Sequence, residues 1–181
     1  MNLTKIIPPP KRPVYNGESE DWNLIERILE MQLPADYRIL VNVYGTGSFL
    51  KFLYVLSPFA PFDTSLNLLS GATKQRLSAY KSGQKEFPQY SPPFPAYPDE
   101  SGLFPWAITV NGDTLFWLRR GNQNKWPVVI CDSKFFEQYD HYNCTATEFL
   151  CRLFSGKIEP DVFPDDLLTM DRVFISHVAQ K

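Results

Sequence analysis

The chain has 181 residues, with 44% hydrophobic and 15% aromatic residues and a net charge of −2. This length and composition suit one globular domain with a substantial core. The near-neutral charge, without a block of like charges, argues against nucleic-acid binding and against a polybasic membrane patch. No apolar run approaches the roughly 20 residues of a membrane-spanning helix, and the N-terminus lacks the apolar core of a signal peptide. We therefore expect a cytoplasmic protein, where three widely spaced cysteines would stay reduced.

The N-terminal quarter is predicted to be an extended arm followed by two helices. Pro8-Pro9-Pro10 favours polyproline geometry, so residues 1–17 are expected to form the arm and residues 18–181 a single domain. Both helices carry apolar residues at helical spacing, which predicts one buried face on each. The buried faces are Trp22, Ile25, Ile28 and Leu29 in the first helix, and Tyr37, Leu40, Val41 and Tyr44 in the second. Gly45 is expected to end the second helix in the C′ position.

The middle of the chain is predicted to contain a strand, a helix and an ordered loop. Residues 49–56 are almost continuously apolar, which is typical of a central strand covered on both faces. Residues 63–80 are expected to be helical. The residues of this helix that should point inward are Leu66, Leu69, Leu77 and Tyr80. Residues 86–99 are rich in proline and aromatic residues, and this composition predicts an ordered loop.

Residues 106–131 are predicted to form a three-stranded antiparallel meander. Asn111-Gly112 is the strongest hairpin signal, because both residues tolerate the positive φ angles of a type I′ turn. Residues 108–110 and 114–118 supply the β-branched and aromatic side chains that strands favour. Residues 128–130 are a short apolar run that suits a buried strand.

The C-terminal third is predicted to contain one long helix and a turn. Thr145 and Glu148 have the spacing of a capping box, in which each side chain bonds to the backbone at the helix start. The expected buried stripe of the helix is Phe149, Leu150, Leu153 and Phe154. Residues 163–166 suggest a turn, followed by a short helix or a strand.

Residues that could support catalysis or metal binding are few. Gly45-Thr46-Gly47 closes a helix, whereas a phosphate-binding glycine loop opens one, so we interpret it as a helix cap and turn. His141, Cys144 and Cys151 do not have the spacing of a structural zinc site, and ordinary free thiols are expected. The pairs Asp99-Glu100 and Asp165-Asp166 are expected to be solvated turn residues. We therefore predict no enzymatic activity, no metal and no cofactor.

The aromatic and charged residues of the meander and of the loop before it are the best candidates for binding a partner. Trp and Arg are common at interface hot spots, and acidic side chains complement a basic partner. The candidates are Asp99, Glu100, Trp106, Asp113, Trp117, Arg119 and Trp126. The alternative for each tryptophan, somewhat favoured, is packing in the core beneath helices.

Several motifs resemble the SUKH superfamily, the fold shared by yeast-type cell-wall-assembly regulators and many bacterial immunity proteins. Four features match in the family's order, within the segments LPADYRILVNVYGTGSFLKFLYVLSPF, SGLFPWAITVNGDTLFWL, WPVVICD, TEFLCRLFSGKI and FPDD. They are the helix start at Leu33–Tyr37, the helix-ending Gly45, the hairpin Gly112-Asp113 and the strand Trp126–Val129. The resemblance implies an α+β fold in which several helices pack on a mostly antiparallel sheet.

The resemblance also implies a role without catalysis, and it carries over no catalytic or partner-binding residues. The first hypothesis is a bacterial immunity protein that binds and neutralises a cognate toxin, often a nuclease or a deaminase. The second is a regulatory or scaffolding module that binds a cellular protein. An uncovered sheet edge would also allow a homodimer. Neither a nucleic acid nor a membrane is expected as a partner.

Overall fold

The meander predicted from the sequence forms the centre of a larger antiparallel sheet. The computed structural model describes residues 2–17, 19–90, 92–133 and 139–177. The strands in these ranges are β1 (Gly47–Phe49), β2 (Leu53–Val55), β3 (Leu103–Thr109), β4 (Thr114–Leu118), β5 (Val128–Cys131), β6 (Tyr139–Tyr142) and β7 (Phe174–Ser176). Their order across the sheet is β6-β5-β4-β3-β2-β1-β7, and all neighbours are antiparallel. The predicted α+β class and the meander are confirmed.

Helices cover both faces of this sheet. They are α1 (Leu3–Ile6), α2 (Ser19–Ile28), α3 (Ala35–Tyr44), α4 (Gly71–Glu86) and α5 (Ala146–Phe154). The larger core cluster joins α1, α2, α3 and α5 to one face of the sheet. A smaller cluster joins α4 and the loop after it to the other face, through Leu103 of β3 and alternate residues of β4 and β5. No helix in the described ranges is long and apolar enough to cross a membrane.

The predicted N-terminal arm packs against the rest of the chain. Leu3 and Ile7 are buried in the larger core cluster. The hydroxyl of Tyr44 donates to the carbonyl oxygen of Ile7 over 2.7 Å. The backbone N–H of Thr46 donates to the carbonyl oxygen of Val14 over 2.8 Å. The arm is thus held at the end of α3 by both apolar burial and backbone hydrogen bonds.

Helix α3 ends at Gly45 as predicted, but Gly45 is the C-cap residue and not C′. It adopts a φ of 72°, and its N–H donates to the carbonyl oxygen of Val41. The start of α3 explains the LPADY motif. One carboxylate oxygen of Asp36 accepts from the N–H of Tyr37, and the other accepts from the N–H of Thr147 in the first turn of α5, both over 2.9 Å. Asp36 therefore satisfies backbone donors at the starts of two helices.

The predicted capping box of α5 is wrong. The Thr145 side chain makes no capping hydrogen bond, and Glu148 pairs instead with Arg152 one turn later. Asp36 supplies the missing acceptor from α3. The reason is tertiary, since an acceptor from a neighbouring helix replaces the local one.

The β3–β4 turn and residues 49–56 differ from the sequence prediction. Of Asn111 and Gly112, only Gly112 has a positive φ, 95°. The N–H of Gly112 bonds to Thr109, and the loop spans residues 110–112, so the turn is a three-residue loop closed by a positive-φ glycine and not type I′. Residues 49–56 are not one strand, because Leu50 and Lys51 both have positive φ and turn the chain between β1 and β2.

Two helical predictions also need correction. Helix α4 begins at Gly71, so residues 63–70 lie outside it. The Ser70 hydroxyl caps the helix by accepting from the N–H of Ala72. Ile28 at the end of α2 is 57% exposed, whereas Trp22 and Ile25 in α2 and Leu29 just after it are buried as predicted. After the predicted turn at residues 163–166, the chain forms a short 3-10 helix, Leu167–Thr169, and then β7.

Candidate partner-binding surface

The tryptophans of the meander lie in the core. Trp106 and Trp117 have no exposed area, and Trp126 is 7% exposed. Trp106 and Trp117 stack with their ring centroids 6.0 Å apart, and Tyr37 of α3 meets Trp117 edge-on at 4.8 Å. These rings lie on the sheet face that α1, α2, α3 and α5 cover. Their indoles are therefore unavailable to a docked partner in this conformation, and the core alternative describes their placement.

Asp113 is also internal, with 3% exposure. Its carboxylate accepts from the Thr109 hydroxyl over 2.7 Å and from the backbone N–H of Ser133 over 3.1 Å. These bonds tie the β3–β4 turn to the chain that leaves β5. The chemistry of Asp113 is therefore structural, because both of its oxygens already serve donors of the same chain.

The other three predicted residues do meet at the surface. Asp99 and Glu100 are exposed in the loop before β3. The guanidinium of Arg119 lies 4.9 Å from the centre of the Tyr97 ring and donates to the backbone carbonyl of Asp99 over 3.4 Å. Burial lowers the pKa of Arg119. This surface is polar and mixed in charge, and it is separated from the buried tryptophans.

The histidines and cysteines do not come together. His141 is in β6 and His177 follows β7, at opposite edges of the sheet, which places them roughly 25–30 Å apart at about 4.8 Å per strand. All three cysteines are buried. Burial raises the pKa of the Cys144 thiol to about 11 and also raises those of Cys131 and Cys151. Within the described residues, no group of three His, Cys, Asp or Glu side chains could hold a metal ion.

A groove lies at the end of the sheet where the β1–β2 and β3–β4 turns meet the segment before β7. Its volume is about 480 Å³. Three apolar side chains line it while remaining exposed: Val110 at 63%, Met170 at 38% and Val173 at 40%. Lys51 and Asp171 are its charged lining residues. Most large apolar side chains of a folded domain are buried, so this grouping is a candidate docking surface.

The chain leading into this groove is strongly acidic. Residues 159–171, here called the acidic segment, contain five of the chain's 20 carboxylates and none of its 18 Lys and Arg side chains. All five carboxylate residues are exposed. Phe163 and Leu167 anchor the segment in the core. A second cavity, of about 130 Å³, lies between α5 and this segment and has Glu159 and Asp165 among its lining residues.

The sequence prediction missed this surface, although one of its signals is visible in the sequence. The one-sided charge of residues 159–171 could have been noticed without a structure. The shared groove of Val110, Met170 and Val173 could not be predicted from the sequence, because Met170 lies 60 positions after Val110. The groove exists because β7 returns to pair with β1 at the far edge of the sheet.

Comparison with known proteins gives one family. No curated protein and no solved structure matches the chain significantly. The SUKH_6 family model, described as SMI1-KNR4 cell-wall, matches residues 19–150. The matched residues run from the start of α2 through the whole meander into α5, more than two thirds of the chain. The match contains all four features that carry the sequence resemblance, in the same order. The chain therefore belongs to the SUKH superfamily.

Proposed function

We propose that this protein is a bacterial immunity protein that binds a cognate toxin and neutralises it without catalysing a reaction. The observation that carries the proposal is the family match over residues 19–150. The superfamily fits either toxin immunity or a protein-interaction role of the cell-wall-regulator type. Both roles need a surface for a partner protein, and the toxin is the first candidate for that partner.

The placement of reactive groups supports a role without catalysis. The two histidines lie at opposite sheet edges and cannot act on one substrate together. A cysteine nucleophile reacts as the thiolate, and burial raises the pKa of each of the three thiols. Asp113, the buried carboxylate of the meander, is occupied by Thr109 and Ser133. The placement of these histidines, thiols and carboxylate therefore favours a binding role over a catalytic one.

The alternative function is a regulatory or scaffolding module that binds a cellular protein. The description of the matching family, SMI1-KNR4 cell-wall, favours this alternative. The two functions predict different partners. A toxin partner is lethal when expressed without this chain, whereas a regulated protein is not.

The test is co-expression with the candidate toxin domain encoded beside this chain's gene. An immunity protein restores growth when that domain is induced and forms a one-to-one complex with it in size-exclusion chromatography. The matched control is a chain carrying Trp106→Ala, which removes a core ring and should abolish rescue through unfolding. Continued growth arrest with a folded wild-type chain present would reject the immunity function.

A further inference from the structure

The groove between Val110, Met170 and Val173 offers a partner an apolar anchoring point. Interface hot spots typically insert a large apolar or aromatic side chain into such a depression, surrounded by a polar rim. Val110 lies at the tip of the β3–β4 turn, while Val173 is held by the bond from Leu50 N–H to its carbonyl, 2.8 Å long. The groove walls are therefore set by backbone hydrogen bonds of the sheet, and binding needs little ordering of the chain.

The charges around the groove select the kind of partner. Asp171 lines the groove, and the acidic segment continues from it along the surface. Lys51 lies across the groove as the one cation among its lining residues. The rest of the chain balances these carboxylates, since the net charge of the whole chain is only −2. Lys157 and Arg172 flank the acidic segment, so the segment with its flanks carries five carboxylates against two cations. This excess of negative charge attracts a positively charged surface.

We infer that the groove and the acidic segment together form the docking surface for a basic partner protein, which inserts an apolar side chain between Val110, Met170 and Val173. The apolar contact slows dissociation, and the carboxylates speed association. The inference rests on the proposed function for the partner's identity, a toxin domain with a basic active site. Its location on the molecule is independent of that identity.

Site-specific photo-crosslinking in the producing cells tests the location. Benzoylphenylalanine replaces Val110 or Met170 in two variants. It replaces Leu24 or Ile28 of α2 in two control variants, because their exposures of 51% and 57% lie between those of Met170 and Val110. Adducts with a basic protein from the groove positions, and none from α2, are expected. Adducts from α2 instead, adducts with an acidic protein, or no adducts from the groove would overturn the inference.

The partner identified by crosslinking is then purified, and its binding to variants without benzoylphenylalanine is measured. These measurements separate the apolar and the electrostatic contributions to binding. Val110→Ser with Met170→Ser should weaken affinity by about tenfold or more, mainly through faster dissociation. Asp165→Asn, Asp166→Asn and Asp171→Asn together should slow association by about tenfold at low salt, with the effect lost at high salt. The substituted residues are exposed, so each variant should keep the melting temperature of the unsubstituted protein, which shows that the variant is folded.

Two matched charge controls separate this surface from general electrostatics. Lys51→Asn should speed association, and asparagine suits the positive φ of 56° at this position. Glu30→Gln with Glu86→Gln, two exposed carboxylates outside the acidic segment, should leave association unchanged within about twofold. Equal slowing by the Glu30 pair and the acidic-segment triple would refute a localised surface. A groove adduct with a non-toxic protein would reject the immunity function and leave the surface standing.

Discussion

The substitution Gly45→Ala tests how closely the N-terminal arm is held against the end of α3. Gly45 has φ 72° and ψ −159°, a conformation that is essentially confined to glycine. A Cβ atom at this position would lie 2.3 Å from the carbonyl oxygen of Val14 and 2.7 Å from its nitrogen. The backbone strain and the clash therefore act together.

Their combined magnitude follows from the geometry. The strained conformation costs about 1–3 kcal/mol for a residue with a Cβ. Moving the arm away from Gly45 also weakens the bond from Thr46 N–H to Val14, a loss of about 1 kcal/mol. We expect Gly45→Ala to lower the free energy of unfolding by about 2–4 kcal/mol, a large part of the 5–15 kcal/mol typical of a domain.

Two other glycines serve as matched controls. Gly112 has φ 95°, but its nearest neighbour would be the Ser133 side chain at 3.3 Å, so Gly112→Ala should cost about 1–2 kcal/mol from the backbone conformation. Gly71 opens α4 with no atom within 4 Å of the added Cβ, so Gly71→Ala should be neutral or stabilise by less than about 1 kcal/mol.

Urea unfolding followed by tryptophan fluorescence measures all three variants, because the buried indoles report loss of the core. Similar m-values are required for the comparison, since a changed m-value would indicate a different unfolding transition. If Gly45→Ala costs no more than Gly112→Ala, the arm does not press on Gly45 and the packing argument is refuted.

Three further predictions concern carboxylates and thiols. Asp36→Ala should lower the free energy of unfolding in urea by about 1–2 kcal/mol, because two helix starts lose a hydrogen-bond acceptor. The control Glu148→Ala removes only an exposed ion pair with Arg152 and should change stability by less than about 0.5 kcal/mol. Burial raises the pKa of Asp140, so ionisation of this carboxyl opposes folding as the pH rises from about 4. Asp140→Asn should therefore raise the free energy of unfolding at pH 7. A stability gain that persisted below pH 4 would contradict this sign. The three buried thiols should resist a thiol-specific reagent at pH 8 until the chain is unfolded, and rapid labelling of the native protein would contradict their burial.

Local patterns in the sequence predicted the elements whose own residues decide them. Apolar spacing predicted the buried face of α3. β-branched and aromatic runs predicted β4 and β5. The need for a positive φ predicted that Gly45 ends α3, and it also marked Gly112 as a turn residue. Four motifs in order led to the family. Each of these signals extends over a few neighbouring residues, so a single sequence carries it.

The tertiary structure decided what depends on residues distant in the chain. Asp36 caps α5 in place of the local capping box. Trp106 and Trp117 belong to the core because helices from both ends of the chain cover that face of the sheet. Val110 and Met170 share a groove because β7 returns to pair with β1. Burial and surface grouping depend on which elements cover one another, and spacing along the chain does not encode that.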